Sequence, residues 1–536
     1  MRTTVLVRRN LAYYWRTNLA VVFGVAAAVA VLSGALVVGE SVRESLRELF
    51  LQRLGKTDHV VASRGFFREQ LAGDIESAEG LARKSFGAAC PVVSIEGTAT
   101  HESSGRRGTR VQVYGVDDRF WKFHGRAGDG VKTPQRDEAL LSAALAEELQ
   151  AGAGETLLVR VEKPSAIPVE SLHGRKEDLG RTLRLTVREA LAPSGLGEFS
   201  VRPQQTAVRA VFVPLKLLQK SLEQESKVNT LLFSAAAEGA GAGDASRTES
   251  LRGLLREKFT VEDLGVKLRA LDGGRGISVE SESGLVNDAL AEAASKSAEG
   301  LQLRPASVFS YLANTIRAGG RQIPYSLVTA LDSSSFEKLR AAGALAPAAK
   351  GGTAQSAIEQ SAREQSGVAS SSEAGREDPS QPDIILNEWA ADDLGARPGD
   401  ELTLEYYLWA DDGRLVTREA RFRVAGVVPV EGEAADRDLV PDYPGISGTE
   451  SLSDWDPPFP VELARIRPRD EDYWDRYRTT PKAFIRLARG QELWQTRFGR
   501  LTSLRVSPPE GSPSEGALEA FRSGLRGALD PEQAGM

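Results

Sequence analysis

The stretch DEALLSAALAEELQAGAGETLLVRV (residues 137–161) recurs 245 positions later as PDIILNEWAADDLGARPGDELTLEY (residues 382–406). In both copies an apolar strand end leads into a short amphipathic helix, then into a glycine-containing turn and a second strand. The turn contains Gly154 in the first copy and Gly399 in the second. Similarity at a constant offset is the sequence signature of a duplicated structural unit.

Three further pairs of segments recur in the same order. These are residues 91–120 and 306–336, residues 182–193 and 419–430, and residues 210–218 and 483–494. The first pair is typical of a hairpin with a glycine-containing turn, and its second strand ends on Asp117 or Asp332. Chance similarity does not account for four segments in matching order. The predicted fold class is therefore α+β, with two related mixed α+β units that form separate domains or one composite domain.

The predicted division of the chain follows composition and periodicity. It comprises an amphipathic lead-in at 1–18, a transmembrane helix at 19–39, a helical stalk at 40–55, a first unit at 56–235, a linker and helical/strand connector at 236–304, a second unit at 305–506 and a tail at 507–536. Within the second unit, residues 343–382 are rich in Ala, Ser, Gly, Gln and Glu. Such a composition cannot bury a core, so we predict a disordered loop there.

Leu19 to Gly39 is a run of 21 residues without a charge. At about 1.5 Å per residue, a helix of this length spans the hydrocarbon core of a bilayer. Only basic charges precede the run and both signs follow it, so the positive-inside rule predicts a cytoplasmic N-terminus in the inner (plasma) membrane and an extracytoplasmic bulk. The alternative is a cleaved signal peptide with Ser33 and Ala35 at an A-x-A-like site. The length of the apolar run favours a retained anchor.

Residues 40–54 continue the helical pattern beyond the membrane run. Their apolar positions form one stripe, namely Val42, Leu46, Leu49, Phe50 and Leu54, and Gly55 ends the pattern. Inside the membrane run, Ala26, Ala30 and Gly34 recur every four residues. This small-residue face either packs against another helix or belongs to an alanine-rich span without a partner.

The sequence contains no recognisable catalytic motif. It has no phosphate-binding loop, no G-x-S-x-G elbow and no H-E-x-x-H pair, and its histidines are dispersed at His59, His101, His124 and His173. Cys90 is the one cysteine, so no intramolecular disulfide forms; a small apolar core residue is favoured over a nucleophile. A net charge of −7 argues against nucleic-acid binding.

Residues 431–477 are the most polar region. Five carboxylates there are chemically suited to calcium: Asp436, Asp438, Asp442, Asp454 and Asp456. Their spacing matches no EF-hand loop, and arginines are interleaved among them, which favours an ordered, salt-bridged surface loop anchored by Trp455, Trp474 and Tyr477. We therefore predict no catalytic, cofactor or metal site, and no enzyme.

The chain resembles the FtsX-like/MacB-type permease subunits of ABC transporters. The resemblance lies in NLAYYWRTNLAVVFGVAAAVAVLSGALVVGESVRESL (residues 10–46), in VYGVDDRFWKF (113–123) and in LLSAALAEEL (140–149) with the glycine turn after it. It covers residues 1 to about 235, and the second copy is similar to the first. Members of this family have no catalytic residues of their own.

The resemblance implies a cytoplasmic ABC ATPase as partner, a homo- or heterodimer with another permease, contact with membrane lipid, and export or mechanical signalling. Such permeases carry three further membrane helices, and this sequence has no other apolar run of comparable length. We therefore expect an N-terminal portion of a longer permease, or a truncated form. The alternative function is a single-pass, membrane-anchored extracytoplasmic binding module. An anchored hydrolase finds no support in the residues.

Overall fold

The computed structural model describes most of the chain. The described residues are 3–79, 86–126, 133–164, 180–236, 244–271, 276–345, 382–410, 414–441, 445–455, 459–508 and 516–535. His173, Asp442, Asp456 and nearly all of the predicted disordered loop at 343–382 lie outside these ranges.

The described residues form α-helices and strands in a mixed order along the chain. The α-helices are α1 (Thr3–Tyr13), α2 (Trp15–Leu54), α3 (Leu71–Glu76), α4 (Asp118–Phe123), α5 (Ala143–Leu149), α6 (Leu215–Ser221), α7 (Asp244–Lys258), α8 (Asp288–Gly300), α9 (Ser333–Leu345), α10 (Glu388–Leu394), α11 (Pro468–Tyr477), α12 (Leu487–Trp494) and α13 (Ala517–Ala528). The strands of the first half are β1 (His59–Arg68), β2 (Phe86–His101), β3 (Arg107–Val116), β4 (Glu138–Ser142), β5 (Thr156–Glu162), β6 (Gly180–Leu191), β7 (Ala210–Pro214) and β8 (Lys227–Ala235). Those of the second half are β9 (Val266–Leu271), β10 (Gly276–Ser281), β11 (Arg304–Ala318), β12 (Arg321–Leu331), β13 (Asp383–Asn387), β14 (Glu401–Trp409), β15 (Leu415–Val428), β16 (Ala483–Arg486) and β17 (Ser503–Ser507).

The long helix α2 contains both the apolar run and the predicted stalk in 40 continuous residues. Of the helices that the structure describes, α2 is the one that is long and apolar enough to cross a membrane, and its apolar segment is not buried inside the protein. Gly55 ends the helix with a positive φ of 60°, and its N–H donates to the carbonyl of Gln52. The predicted N-terminal apolar helix with a helical extension is confirmed.

Six strands of the first half close into a ring. β2 pairs with β3, β3 with β7, β7 with β4, β4 with β6, β6 with β5, and β5 again with β2. The β3–β7 and β4–β6 pairs are parallel and the others antiparallel. Outside this ring, β8 pairs with the first part of β2, and β1 pairs with β8. The strands β4 and β7 are buried on both faces, whereas β5 and β6 alternate between buried and more exposed residues.

The second half repeats this ring strand for strand. Its order is β11, β12, β16, β13, β15, β14 and again β11, with parallel pairs β12–β16 and β13–β15 at the corresponding places. β17 and β10 take the places of β8 and β1, and β9 adds one strand at the edge. The predicted fold class, α+β with two related units, is therefore confirmed.

Consecutive apolar residues explain why part of the first ring is covered on both sides. In β3, Val111 and Val113 join one buried cluster, whereas Tyr114 and Val116 join another on the opposite face. Successive side chains of a strand point to opposite faces, so a strand that is apolar at consecutive positions must be buried on both. The two clusters of the first unit lie on either side of its sheet.

The segment predicted as a connector at 236–304 contains elements of both halves. Leu251 and Leu254 of α7 lie in the core of the first unit, whereas β10 and α8 belong to the second. In the tail, Phe521 and Leu525 of α13 are buried against α8. The proposed domain boundaries remain a prediction.

The crossover between the last two ring strands differs between the units. It takes residues 192–209 in the first unit and residues 429–482 in the second. The longer crossover contains the polar region noted in the sequence and covers Leu312 and Tyr325 on the outer side of the second ring with Trp455 and Trp474. The same topological position therefore carries a short loop in one unit and a folded cap in the other.

Candidate functional site: the junction of the long helix and the first unit

The last turn of α2 is fixed to the first unit by Arg53. Its Nε–H donates to Glu198 Oε2 at 3.1 Å, Nη1 donates to the carbonyl of Gln204 at 2.6 Å, and Nη2 donates to the carbonyl of Thr206 at 3.1 Å. In return, the N–H of Ser200 donates to the carbonyl of Arg53 at 3.3 Å. All four partners lie in the crossover at 192–209. Because guanidinium hydrogen bonds are directional, they hold the end of the helix in one orientation.

His124 supports the chain immediately after the helix. The N–H of Lys56 donates to His124 Nδ1 at 3.2 Å, and the ring packs edge-on against Phe120 and Phe199. Burial, followed by the positive charges of Lys56 and Arg126, lowers the pKa of His124 to about 4. The imidazole is therefore neutral at pH 7, with its proton on Nε2, because Nδ1 accepts a hydrogen bond.

Gly55 is required where the helix meets this histidine. A Cβ at position 55 would lie 2.7 Å from His124 Nδ1, and the φ of +60° disfavours other residues. The glycine therefore lets the chain turn from α2 into β1 directly over the imidazole.

A cavity of about 710 Å³ lies at the same junction. It is lined by Leu49 and Arg53 of the helix, by His124, and by Leu196 and Phe199 of the crossover. Since the neutral imidazole and the paired guanidinium are both engaged in holding the backbone, this arrangement suits mechanical attachment. It does not resemble a site for acid–base chemistry.

A second set of contacts joins the two units. Arg68 at the end of β1 donates its backbone N–H to Asp263 Oδ1 at 3.0 Å, and its Nη2 lies 2.9 Å from Asp263 Oδ2. The carboxylate of Asp263 is fully buried and also accepts the N–H of Thr260 at 2.8 Å. Asp74 binds the same guanidinium at 3.1 Å. Because every oxygen of Asp263 is used, this buried charge is fully compensated.

Further ion pairs lie beside it. Lys227 Nζ is 3.0 Å from Glu282 Oε1, which links β8 to the turn after β10. Arg256 of α7 lies 3.0 Å from Asp530, beyond the end of α13. Each pair joins an element of the first unit to one of the second, so the two units are tied at several points.

The cysteine and the histidines that the sequence analysis considered as candidate reactive residues have structural roles. Cys90 is fully buried in an apolar cluster, and burial raises the pKa of its thiol. His59 packs edge-on against Phe86. His101 contacts the hydroxyls of Ser103 and Ser104 in a hairpin turn. No histidine–cysteine pair is formed among the described residues.

The acidic residues of the polar region are engaged by arginines. Asp436 Oδ2 lies 2.6 Å from Arg505, and Asp438 binds Arg269. Asp454 lies in a 3₁₀ turn at Leu452–Asp454. Within the described ranges no group of three or more His, Cys, Asp or Glu side chains is arranged to hold a metal ion.

The sequence patterns did not single out Arg53, Glu198 or His124 as site residues. A signal was present for the first of these: Arg53 follows Leu46, Leu49 and Phe50 at helical spacing, so it lies on the apolar stripe. A charged residue on such a stripe indicates a buried partner. Nothing in the crossover sequence identified that partner.

The first unit is similar to a known protein domain. Residues 17–247 match the MacB-like periplasmic core domain, which confirms the resemblance seen in the sequence. The matched segment is less than half of the chain. No curated protein sequence shows a significant match.

Two solved structures are similar to the chain. The periplasmic region of MacB from Actinobacillus actinomycetemcomitans is 12% identical, with a TM-score of 0.23, over 39% of this chain and 86% of that one. The extracellular domain of the noncanonic ABC-type transporter YknZ from Gram-positive bacteria is 12% identical, with a TM-score of 0.22, over 37% of this chain and 92% of that one.

Proposed function

Since residues 17–247 carry a MacB-like periplasmic core domain, we propose that the chain serves as a permease-type subunit of an ABC transporter. In this proposal it is the N-terminal portion of such a subunit. It couples the motion of a cytoplasmic ATPase to the two units outside the membrane, for export or for mechanical signalling. The absence of a phosphate-binding loop from the sequence supports a separate ATPase.

The apolar surface of α2 and the charges on either side of it support the proposed orientation. This exposed apolar surface suits lipid, with the basic lead-in on the cytoplasmic side of the inner membrane and the bulk of the chain extracytoplasmic. Ala26, Ala30 and Gly34 are exposed on this helix, and their small side chains suit close packing of a second permease in a homo- or heterodimer.

The observation that carries the proposal is the attachment of Arg53. A helix that is continuous from Trp15 to Leu54 transmits displacement and rotation along its length. The bonds from Arg53 to Glu198, Gln204 and Thr206 then pass this motion to the first unit. The ion pairs between the units carry it to the second, as a rigid-body transition requires.

The experiment interrupts the helix between membrane and junction. Leu46→Pro removes a helical hydrogen bond in the segment from Val42 to Leu54, and Leu46→Ala is the matched control that keeps the helix. The chain is co-expressed with the ABC ATPase encoded nearest to it. Spin labels at the exposed positions Asn10 and Arg184 report the distance between the inner end and the first unit.

We expect ATP binding by the partner to change this distance in the wild type and in Leu46→Ala, but not in Leu46→Pro. The circular dichroism of the outer units should be the same in all three. An ATP-dependent change that persists in Leu46→Pro contradicts the coupling role of the helix.

The second candidate function is a single-pass, membrane-anchored extracytoplasmic binding module. A polar cavity of about 620 Å³ in the second unit favours it. The two functions are separated by purification: a permease-type subunit retains its ATPase in detergent, whereas an anchored binding module does not.

A further inference from the structure

The two units differ most in one buried cluster of side chains outside the ring. In the first unit an apolar cluster fills the space between α4, the crossover and β8; its members include Phe120, Phe123, Leu196, Phe199 and Leu232. In the second unit the corresponding cluster keeps the strand residues, such as Val308, Ile385 and Val428. The side chains that close over them are different.

The matching positions on the two helices follow from the residues that cap them, and those on the strands follow from strand pairing. Asp117 and Asp332 cap α4 and α9, so the third residue after the cap is Phe120 in one unit and Ser335 in the other. The sixth is Phe123 or Lys338. Opposite Cys90 and Ala306, β8 and β17 place Leu232 and Arg505.

The crossovers of the two units also contain matching positions. Counting from the strand ends Leu191 and Val428, the fifth residue is Leu196 in the first unit and Glu433 in the second. The eighth is Phe199 in the first unit and Asp436 in the second. Five apolar side chains of one unit are therefore replaced by Ser335, Lys338, Glu433, Asp436 and Arg505 in the other.

These five replacements line a cavity of about 620 Å³ in the second unit. At its base lies the ion pair of Asp436 and Arg505, with 2.6 Å between Oδ2 and Nη2; Asp436 is only 4% exposed. A buried ion pair is a weak source of stability, because desolvation offsets the attraction. The first unit closes the same fold with apolar side chains, so the charges are not needed for folding.

The unpaired groups of the cavity are mainly donors. Among the described residues, neither Arg304 nor Lys338 has an ion-pair partner, and Arg505 uses Nη2 alone in its bond to Asp436. Of the acidic residues that line the cavity, Asp332 caps α9 and Asp436 pairs with Arg505, which leaves Glu433. Cationic donors grouped around a concave surface favour an anionic group of the ligand.

We propose that this cavity binds a small molecule through a carboxylate or phosphate group, held by Lys338, Arg304 and the free N–H groups of Arg505. Its volume lies within the usual range of about 300–1,000 Å³ for small-molecule sites. The first unit also has a cavity at the matching place, but Leu196 and Phe199 line it instead of Glu433 and Asp436, and the end of α2 lies against it. The two units have therefore diverged into one that holds the helix and one that holds a ligand.

The test uses the full chain in detergent micelles and isothermal titration calorimetry with two probes, inorganic phosphate and succinate. We expect one of them to bind, and the one that binds identifies the anionic group. Lys338→Ala should weaken binding at least about ten-fold, since it removes one charge-assisted bond. Lys216→Ala, at an exposed lysine of α6, is the matched control and should leave the affinity unchanged.

A second variant copies the first unit. Asp436→Phe with Arg505→Leu replaces the ion pair by the side chains found at Phe199 and Leu232, and should abolish binding while the chain keeps its circular dichroism. The proposal is overturned if neither probe binds the wild type. It is also overturned if Lys338→Ala binds as tightly as the Lys216→Ala control.

Discussion

Arg53 and Glu198, 145 positions apart in the sequence, are joined by a hydrogen bond of 3.1 Å between Nε and Oε2. One residue lies in the last turn of the long helix, and the other in the crossover of the first unit. Arg53 is 6% exposed although it carries a full charge. The long helix therefore ends inside the first unit and is not joined to it by a flexible linker.

Arg53→Ala should loosen this junction. The substitution leaves the carbonyls of Gln204 and Thr206 without their donors, which costs about 2–4 kcal/mol of unfolding free energy. Denaturant unfolding measures the loss. Arg47→Ala is the control, because Arg47 is 68% exposed and its ion pair with Glu44 spans 3.8 Å; it should change stability by less than about 0.5 kcal/mol. Equal effects of the two variants would argue against a fixed junction.

Gly55→Ala should destabilise the first unit more than its backbone conformation alone predicts. The new Cβ meets His124 Nδ1 at 2.7 Å in addition to the cost of a positive φ. Gly105→Ala isolates the second effect, since Gly105 has a φ of +69° and open space around it. We expect about 1 kcal/mol of destabilisation for Gly105→Ala and at least about 2 kcal/mol for Gly55→Ala, measured by thermal unfolding. Similar values would show that the contact with His124 is relaxed without cost.

Acidification should weaken the junction through His124. In the unfolded chain this histidine gains a proton below about pH 6.5, whereas the folded-state pKa is about 4. The unfolded state therefore binds more protons between these values, and the free energy of unfolding falls as pH drops from 6.5 to 4, by up to about 3 kcal/mol. His124→Leu should remove this contribution; the second unit has Leu339 at the same distance, seven residues, from its helix cap. An equal loss of unfolding free energy between pH 6.5 and 4 in the wild type and in His124→Leu would contradict the role of His124.

Lys482 should make the free energy of unfolding depend on pH in the alkaline range. Its ammonium is buried against the rings of Trp389 and Tyr473, at 4.8 and 4.9 Å from their centroids, and burial lowers its pKa to about 8. The unfolded state holds the proton up to about pH 10.5, so this group's contribution to stability rises from pH 8 to 10.5. Lys482→Met removes the titration. We expect the variant to be more stable than wild type at pH 7, with a difference that narrows above pH 8 in urea unfolding.

A stability difference for Lys482→Met that is constant from pH 7 to 10.5 would show that the ammonium is not destabilised by its surroundings. Lys216→Met, at an exposed lysine of the first unit, provides the matched profile.

The sequence was sufficient for the helix and for the ring strands. The charge-free run from Leu19 to Gly39 and the stop at Gly55 mark α2, and the repeated apolar patterns mark β4–β5 and β13–β14. These features are local, because each depends on the order of neighbouring side chains. Ring closure is not local: β2 must pair with β5, and β11 with β14, across long intervening segments.

The junction and the cavity were beyond sequence reasoning for a related reason. Phe199 and Asp436 lie in crossovers of different length, so the repeat gave no alignment between them. Their equivalence follows only when the strand ends Leu191 and Val428 are matched through the pairing of β4–β6 and β13–β15. Arg505 has no unusual sequence context, since arginine also occurs on exposed strand positions throughout the chain.

The closed rings also bear on how the protein avoids aggregation. A sheet edge offers unpaired N–H and C=O groups to other chains, and a closed ring has no such edge. Of the strands that the structure describes, β1 and β9 are the terminal strands of the two sheets. The end of β1 is covered, because Arg68 donates its N–H to Asp263. β9 is short and carries the exposed Lys267, whose charge discourages pairing with a second copy. The two sheets therefore offer little exposed edge for intermolecular strand exchange.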